Sequence, residues 1–177
     1  VRNNDFPEGI RIEFTMGEWL LTNKPVTEIQ KNSVQKNNLK NQVITGVLSL
    51  TDQIPFDKSP VEISLTFRTD AMTRMTFPAR FGLRLENKEG ESLTLGYDVS
   101  KWWYFIDRSN LTFAKSNSSF GGMQLMPCYH SDSTLVMYMI IDNSSIELFT
   151  EVGKLVMTEN FLTEAKFDKV LLFTDNG

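Results

Sequence analysis

Phe81-Gly82-Leu83-Arg84-Leu85-Glu86-Asn87-Lys88-Glu89-Gly90-Glu91-Ser92-Leu93-Thr94-Leu95-Gly96-Tyr97 decides the fold class. On both sides of Asn87-Lys88-Glu89-Gly90 the residues alternate with the period of a strand that buries one face. The four residues between form a hairpin connection, with Gly90 free to take the positive φ that such turns use. Working outward, the same alternation runs through Val43–Leu50 and Val61–Phe67 upstream. Downstream come Trp103-Tyr104-Phe105-Ile106, Leu135–Ile141, Ser145–Phe149, Lys154–Thr158 and Lys169–Phe173, all rich in β-branched and aromatic residues. Asp142-Asn143-Ser144 and Glu151-Val152-Gly153 punctuate them as turns. No segment sustains a helical period over about 12 residues. Short strands separated by turns, without crossover helices, predict an all-β fold: a two-sheet antiparallel β-sandwich.

Residues before Val43 read differently. Ile10-Arg11-Ile12-Glu13-Phe14 is one half-buried strand and then a stop; Trp19-Leu20-Leu21 is a short apolar piece, and Pro25 interrupts any regular pattern. Val26 to Gln42 is mostly Asn, Gln, Lys, Ser and Thr. The expected division is an extended linker arm over residues 1–42 and a sandwich over residues 43–177, which suits a chain of 177 residues.

Composition narrows the chemistry. With 41 % hydrophobic and 23 % charged residues the chain is no disordered tail, and a net charge of −4 argues against non-specific nucleic-acid binding. No apolar run approaches the roughly 18 residues of a membrane span. One cysteine, Cys128, forms no internal disulfide, and with the one histidine, His130, it makes no zinc site from nitrogen and sulfur ligands alone. In an extended strand Cys128 and His130 would share a face, but an ordinary buried Cys in a loop beside Pro127 is the favoured reading. No metal and no cofactor are expected.

Phosphate loops, nucleophile elbows, metalloprotease motifs and calcium loops are all absent from the sequence. Glycoside hydrolysis needs two carboxylates facing each other at about 5–10 Å, and the candidate pairs are Glu86 with Asp98 and Asp107 with Glu147. Turn formation or a solvated strand face is the favoured reading of each of these residues. Sugar recognition needs planar polar side chains beside an aromatic face. Arg108 next to Asp107, directly after Trp102-Trp103-Tyr104-Phe105, has that composition. Extended geometry sends Trp102 and Tyr104 one way and Trp103 and Phe105 the other, so one pair is core and the other is open to a ligand.

Four motifs in order carry a family resemblance: Phe81-Gly82-Leu83-Arg84-Leu85, Gly96-Tyr97-Asp98, Phe105-Ile106-Asp107-Arg108-Ser109, and Ile141–Phe149 with Gly153 and Met157-Thr158. Together they resemble the C-terminal β-sandwich of family-32 glycoside hydrolases, the invertases, inulinases and levanases. Pro7, Leu20-Leu21 and Pro25–Ile29 resemble the segment that crosses to that sandwich from the catalytic propeller. The resemblance implies a concanavalin-like or jelly-roll sandwich, with the catalytic acids in an upstream propeller whose signature motifs this chain lacks. It implies a non-catalytic domain that stabilises the propeller of the same parent chain, a possible homodimer, and an extracellular or periplasmic location. A related carbohydrate-binding module, family 66, implies the alternative of holding a terminal fructose of fructan. The positions for that are Glu86, Asp98, Asp107, Arg108 and Glu147, with Trp102 as the aromatic. One departure is Asn143, where the family pattern has Arg.

Overall fold

The computed structural model describes residues 10–15, 18–23, 39–54, 60–68, 79–129 and 134–175. In chain order the strands are β1 (Ile10–Thr15), β2 (Glu18–Asn23), β3 (Val47–Ser49), β4 (Val61–Arg68), β5 (Arg80–Glu86), β6 (Ser92–Asp98), β7 (Trp103–Asn110), β8 (Met123–Pro127), β9 (Thr134–Ile141), β10 (Ser145–Thr150), β11 (Leu155–Asn160) and β12 (Lys169–Asp175). A helix of five residues, α1 (Thr112–Ser116), follows β7, and a 3₁₀ turn (Glu151–Gly153) follows β10. The deciding hairpin is β5–β6, antiparallel in the register Arg80↔Asp98 to Glu86↔Ser92, with Gly90 at φ +78°.

Six strands in the order β3-β12-β5-β6-β7-β8 form one sheet, and four in the order β11-β10-β9-β4 form the other. All of these neighbours run antiparallel. The period of two determines which side chains meet. Leu83, Leu85, Leu93, Leu95, Ile106 and Val170 point inward from the larger sheet, and Ile63, Met137, Met139, Ile141, Ile146 and Leu148 from the smaller, into one core. A run of rings, Phe67–Phe81–Tyr97–Tyr104, crosses this core from β4 to β7 with centroid separations of 4.6, 6.1 and 4.9 Å. At the centre of β5–β6, Gly82 pairs with Gly96. A Cβ on Gly82 would meet the Leu95 carbonyl oxygen and one on Gly96 that of Phe81, so only glycine fits this approach.

Four expectations need correction. β1 is not a lone strand: Trp19-Leu20-Leu21 lies in β2, which pairs with β1 from Ile10↔Asn23 to Thr15↔Glu18. Val43–Leu50 yields only the three residues of β3, because its first half runs over no sheet face; Val43 is 92 % exposed. β8 is not among the expected strands: the loop expected beside Pro127 begins only after an edge strand that Pro127 itself ends, and at a sheet edge a missing N–H costs nothing. Trp102 lies outside β7 at φ +59°, so it does not alternate with Tyr104. The polar connector over residues 26–42 falls largely outside the described residues, as does His130.

Candidate functional site

Arg108 and Asp107 are adjacent in β7 and therefore point to opposite faces. Arg108 turns into the sandwich, 6 % exposed. Its Nη2 lies 3.0 Å from Glu159 Oε2, its Nη1 donates to the Asn160 carbonyl at 2.6 Å, and its guanidinium stacks 4.7 Å from the centroid of Phe120. Glu159 belongs to β11, so this cluster ties the six-stranded sheet to the four-stranded one. Asp107 faces outward, where its Oδ1 accepts the Ser109 N–H at 2.9 Å. The two groups do not form one sugar-binding fork.

Neither carboxylate pair converges. Glu86 and Asp98 sit at opposite ends of the β5–β6 hairpin, six residues apart along the strand and so separated by about 20 Å. Asp107 leaves the outer face of one sheet and Glu147 the outer face of the other, with the whole sandwich between them. Asp98 is buried as a turn brace: its Oδ2 accepts Arg80 Nε at 2.9 Å, and its Oδ1 accepts the Ser100 hydroxyl at 2.6 Å and the Lys101 N–H at 3.1 Å. Burial alone would raise its pKa; the bonds from Ser100, Arg80 and Lys101 outweigh burial and hold it below the ordinary carboxylate value. Glu86 lies 3.0 Å from Arg84 Nε, an ion pair by distance without an aligned hydrogen bond. Trp102 is half-buried against Tyr129, ring centroids 4.6 Å apart, and of the expected open pair Trp103 is half-buried and Phe105 only 1 % exposed.

Two polar clusters had no signal in the sequence beyond their residue types. Glu91, 2 % exposed, receives Asn87 Nδ2 at 2.6 Å and the Glu164 N–H at 2.9 Å on Oε2, and the Thr112 N–H at 2.9 Å on Oε1. It joins the hairpin turn, the start of α1 and the segment after β11. Burial would raise its pKa, but the bonds from Thr112, Asn87 and Glu164 prevail and lower it. At the other end of the sandwich the Tyr104 hydroxyl donates to Glu151 Oε1 at 3.1 Å, and the Tyr97 hydroxyl to the Cys128 carbonyl at 2.8 Å. Burial, and then the Glu151 charge, push both the Tyr104 phenol and the Cys128 thiol upward, which makes Cys128 a poor nucleophile. Among the described residues no group of three or more His, Cys, Asp or Glu is placed to hold a metal ion, and no helix is long and apolar enough to cross a membrane.

These side chains brace a two-sheet antiparallel sandwich, and the geometry defines a domain of that class with its polar groups turned to its own joints. Residues 24–177 match the family model described as the C-terminal domain of family-32 glycosyl hydrolases, and the chain belongs to that family. It is 28 % identical over 100 residues to a levanase of Bacillus subtilis, covering 56 % of this chain and 15 % of the relative. It is 26 % identical over 152 residues to an extracellular exo-inulinase of Meyerozyma guilliermondii, covering 80 % of this chain and 28 % of the relative. The chain thus spans less than a third of the length of either. Its fold matches part of an exo-inulinase from Aspergillus awamori at TM-score 0.70 and 16 % identity, over 95 % of this chain and 32 % of that one. It matches fructan 1-exohydrolase IIa from Cichorium intybus at TM-score 0.67 and 17 % identity, over 94 % of this chain and 37 % of that one.

Proposed function

We propose that this chain is the non-catalytic sandwich of a fructan-degrading hydrolase acting outside the cytoplasm, and that it packs on the catalytic propeller of the same parent chain and stabilises it. Residues 1–42 serve as the arm that leads from that propeller to the sandwich over 43–177. The observation that carries this reading is the outer face of the four-stranded sheet. Sheets open to water on one side alternate apolar-in and polar-out. Here Val136 is 46 % exposed on the outer face, and Tyr138, Ile140, Phe149 and Val156 share that face half-buried. A contiguous apolar patch of this kind favours a protein partner over water. Changing Val136 and Phe149 to Lys tests it. The isolated chain should melt close to the unaltered chain, while the parent hydrolase carrying both changes should lose thermal stability; an unchanged parent refutes the reading.

A second reading, fructan binding, is favoured by one observation. Arg84, Glu86 and Asp107 share the outer face of the six-stranded sheet, giving a guanidinium and two carboxylates for vicinal hydroxyls. Calorimetry with levan should then show heat that Arg84→Ala abolishes and Arg108→Ala does not. No heat at millimolar fructo-oligosaccharide removes this reading.

A further inference from the structure

We propose that the cleft between α1 and the segment after β11 holds one sugar ring, a fructofuranosyl unit at the end of a fructan chain. The cleft measures about 230 Å³, with Thr112, Phe113 and Ser116 on one wall and Leu162, Thr163 and Glu164 on the other. Drug-sized ligands fill about 300–1,000 Å³, so this volume suits a single ring. A five-residue helix and a loop do not hold a cleft open by themselves; a buried carboxylate does so here. Glu91 accepts the Thr112 N–H at 2.9 Å on Oε1 and the Glu164 N–H at 2.9 Å on Oε2, one bond to each wall. Asn87 Nδ2 donates to Glu91 at 2.6 Å and to the Ala165 carbonyl at 2.9 Å, which ties the second wall again. On the α1 side Phe113 meets Phe120 edge-on, with ring centroids 4.9 Å apart. The walls are therefore set before a ligand arrives, and binding loses little entropy in ordering them.

The lining selects a neutral polyol with an apolar face. Phe113 and Leu162 are 39 % and 48 % exposed, an aromatic and an aliphatic surface for the C–H face of a ring. Ser116 donates its hydroxyl proton to the Phe113 carbonyl at 3.0 Å, so toward the cleft it accepts. The Glu164 carboxylate also only accepts, and the Thr112 and Thr163 hydroxyls do either. A ring carrying several O–H donors satisfies such a lining, whereas an apolar ligand would cover three hydroxyls and a charge without pairing them. None of the six residues is basic, and Glu164 repels phosphorylated or carboxylated ligands. The cleft is separate from Arg84, Glu86 and Asp107, which lie on the outer face of the six-stranded sheet. The choice of fructose rests on the reading of the parent as a fructan-degrading hydrolase.

Methyl NMR of the 177-residue chain reads the cleft directly, through Thr112 and Thr163. A fructo-oligosaccharide should shift both methyls and saturate at about 1–10 mM, the range for one ring in an open cleft. Arg84→Ala should leave these shifts unchanged. Phe113→Ala and Leu162→Ala should each raise the dissociation constant about fivefold or more. Leu162→Ala carries the test if the Phe113 variant fails to fold, because Leu162 is the more exposed of the two. n-Butylamine and inorganic phosphate should move neither methyl. Shifts with the amine and not with the sugar, or sugar shifts that Arg84→Ala removes, overturn the proposal. Shifts with a malto-oligosaccharide and not with the fructo-oligosaccharide overturn the choice of sugar. Release of fructose from levan by the parent hydrolase tests the reading beneath that choice separately: if the parent releases fructose and the fructo-oligosaccharide moves neither methyl, the cleft assignment alone is overturned.

Discussion

Replacing Arg108 by Met should unfold this domain far more readily than any loss of sugar contact would suggest. The side chain makes an ion pair at 3.0 Å, a hydrogen bond at 2.6 Å and a cation–π contact at 4.7 Å, with the guanidinium side chain 8 % and Glu159 16 % exposed. Methionine keeps an apolar stem of similar length but removes the guanidinium from the face of Phe120 and leaves Glu159 and the Asn160 carbonyl without their donor. Breaking one member of a buried pair costs about 3–5 kcal/mol, and the partial exposure of Glu159 favours the lower end. For a domain of this size about 3 kcal/mol lowers the melting temperature by about 6–12 °C. Urea titration and calorimetry of the isolated chain measure both quantities. Changing Glu159 to Leu in the same protein should recover most of the loss, because a buried ion pair exchanged whole for apolar side chains is close to neutral. A single variant that melts within about 1 °C of the wild type refutes the assignment of Arg108 as the tie between sheets.

Three further outcomes follow from the same geometry. Glu91→Gln should cost about 1–3 kcal/mol near neutral pH, since an amide cannot accept all three bonds as a carboxylate does. The Glu91 pKa is lowered on folding, so its contribution is present above the ordinary carboxyl value and is lost as pH falls below that value and through the lower folded one; denaturation followed against pH should show a shallower acid limb in the variant. Gly96→Ala should destabilise by more than about 3 kcal/mol, because the new Cβ meets the main-chain oxygen of Phe81, which has no freedom to withdraw from the sheet; a soluble variant with unchanged melting contradicts this. Cys128 should react with iodoacetamide at pH 8 several-fold more slowly than a model thiol, and equal rates measured by mass spectrometry would show that burial does not raise its pKa.

The fold was legible because its signal is periodic. Leu83, Leu85, Leu93 and Leu95 occur every second residue, and a period of two has one structural meaning. Val43–Ile44–Thr45 carries the same period without a sheet to use it, because alternation records which face would be apolar and says nothing of whether a partner strand is there. The candidate site was less legible for a related reason. Asp107 and Arg108 suggest a pair because they are neighbours in sequence, yet the strand that makes them neighbours also separates them by its pleat. Arg84, Glu86 and Asp107, which do share a face, come from two strands with a third between them, and no spacing in the sequence announces that. Glu91 was hidden differently: its three partners lie at positions 87, 112 and 164, and only the tertiary fold makes one buried carboxylate their common acceptor.

The placement of these buried polar groups bears on what the domain is for. Apolar contacts between two sheets are non-directional and leave the sheets free to shear by small steps. Hydrogen bonds to charged groups fix position, and a partner removed from one is costly in a buried setting. Here Arg108 binds Glu159 and the Asn160 carbonyl at one end of the sandwich, and Tyr104 binds Glu151 at the other, so the six- and four-stranded sheets are joined by directional bonds on both sides of an apolar centre. Glu91 adds the loop after β11 to the first of these joints. A binding module that closes on its ligand needs a joint that yields, whereas a body that must present one flat apolar face to a larger partner needs joints that do not. The double tie therefore favours a rigid accessory domain. It also sharpens the expectation for Arg108→Met: under the proposed packing on a catalytic propeller, the loss should spread beyond the sandwich and lower the melting of the parent as well, since a sheet free to shear would no longer hold Val136, Tyr138 and Phe149 in one fixed face.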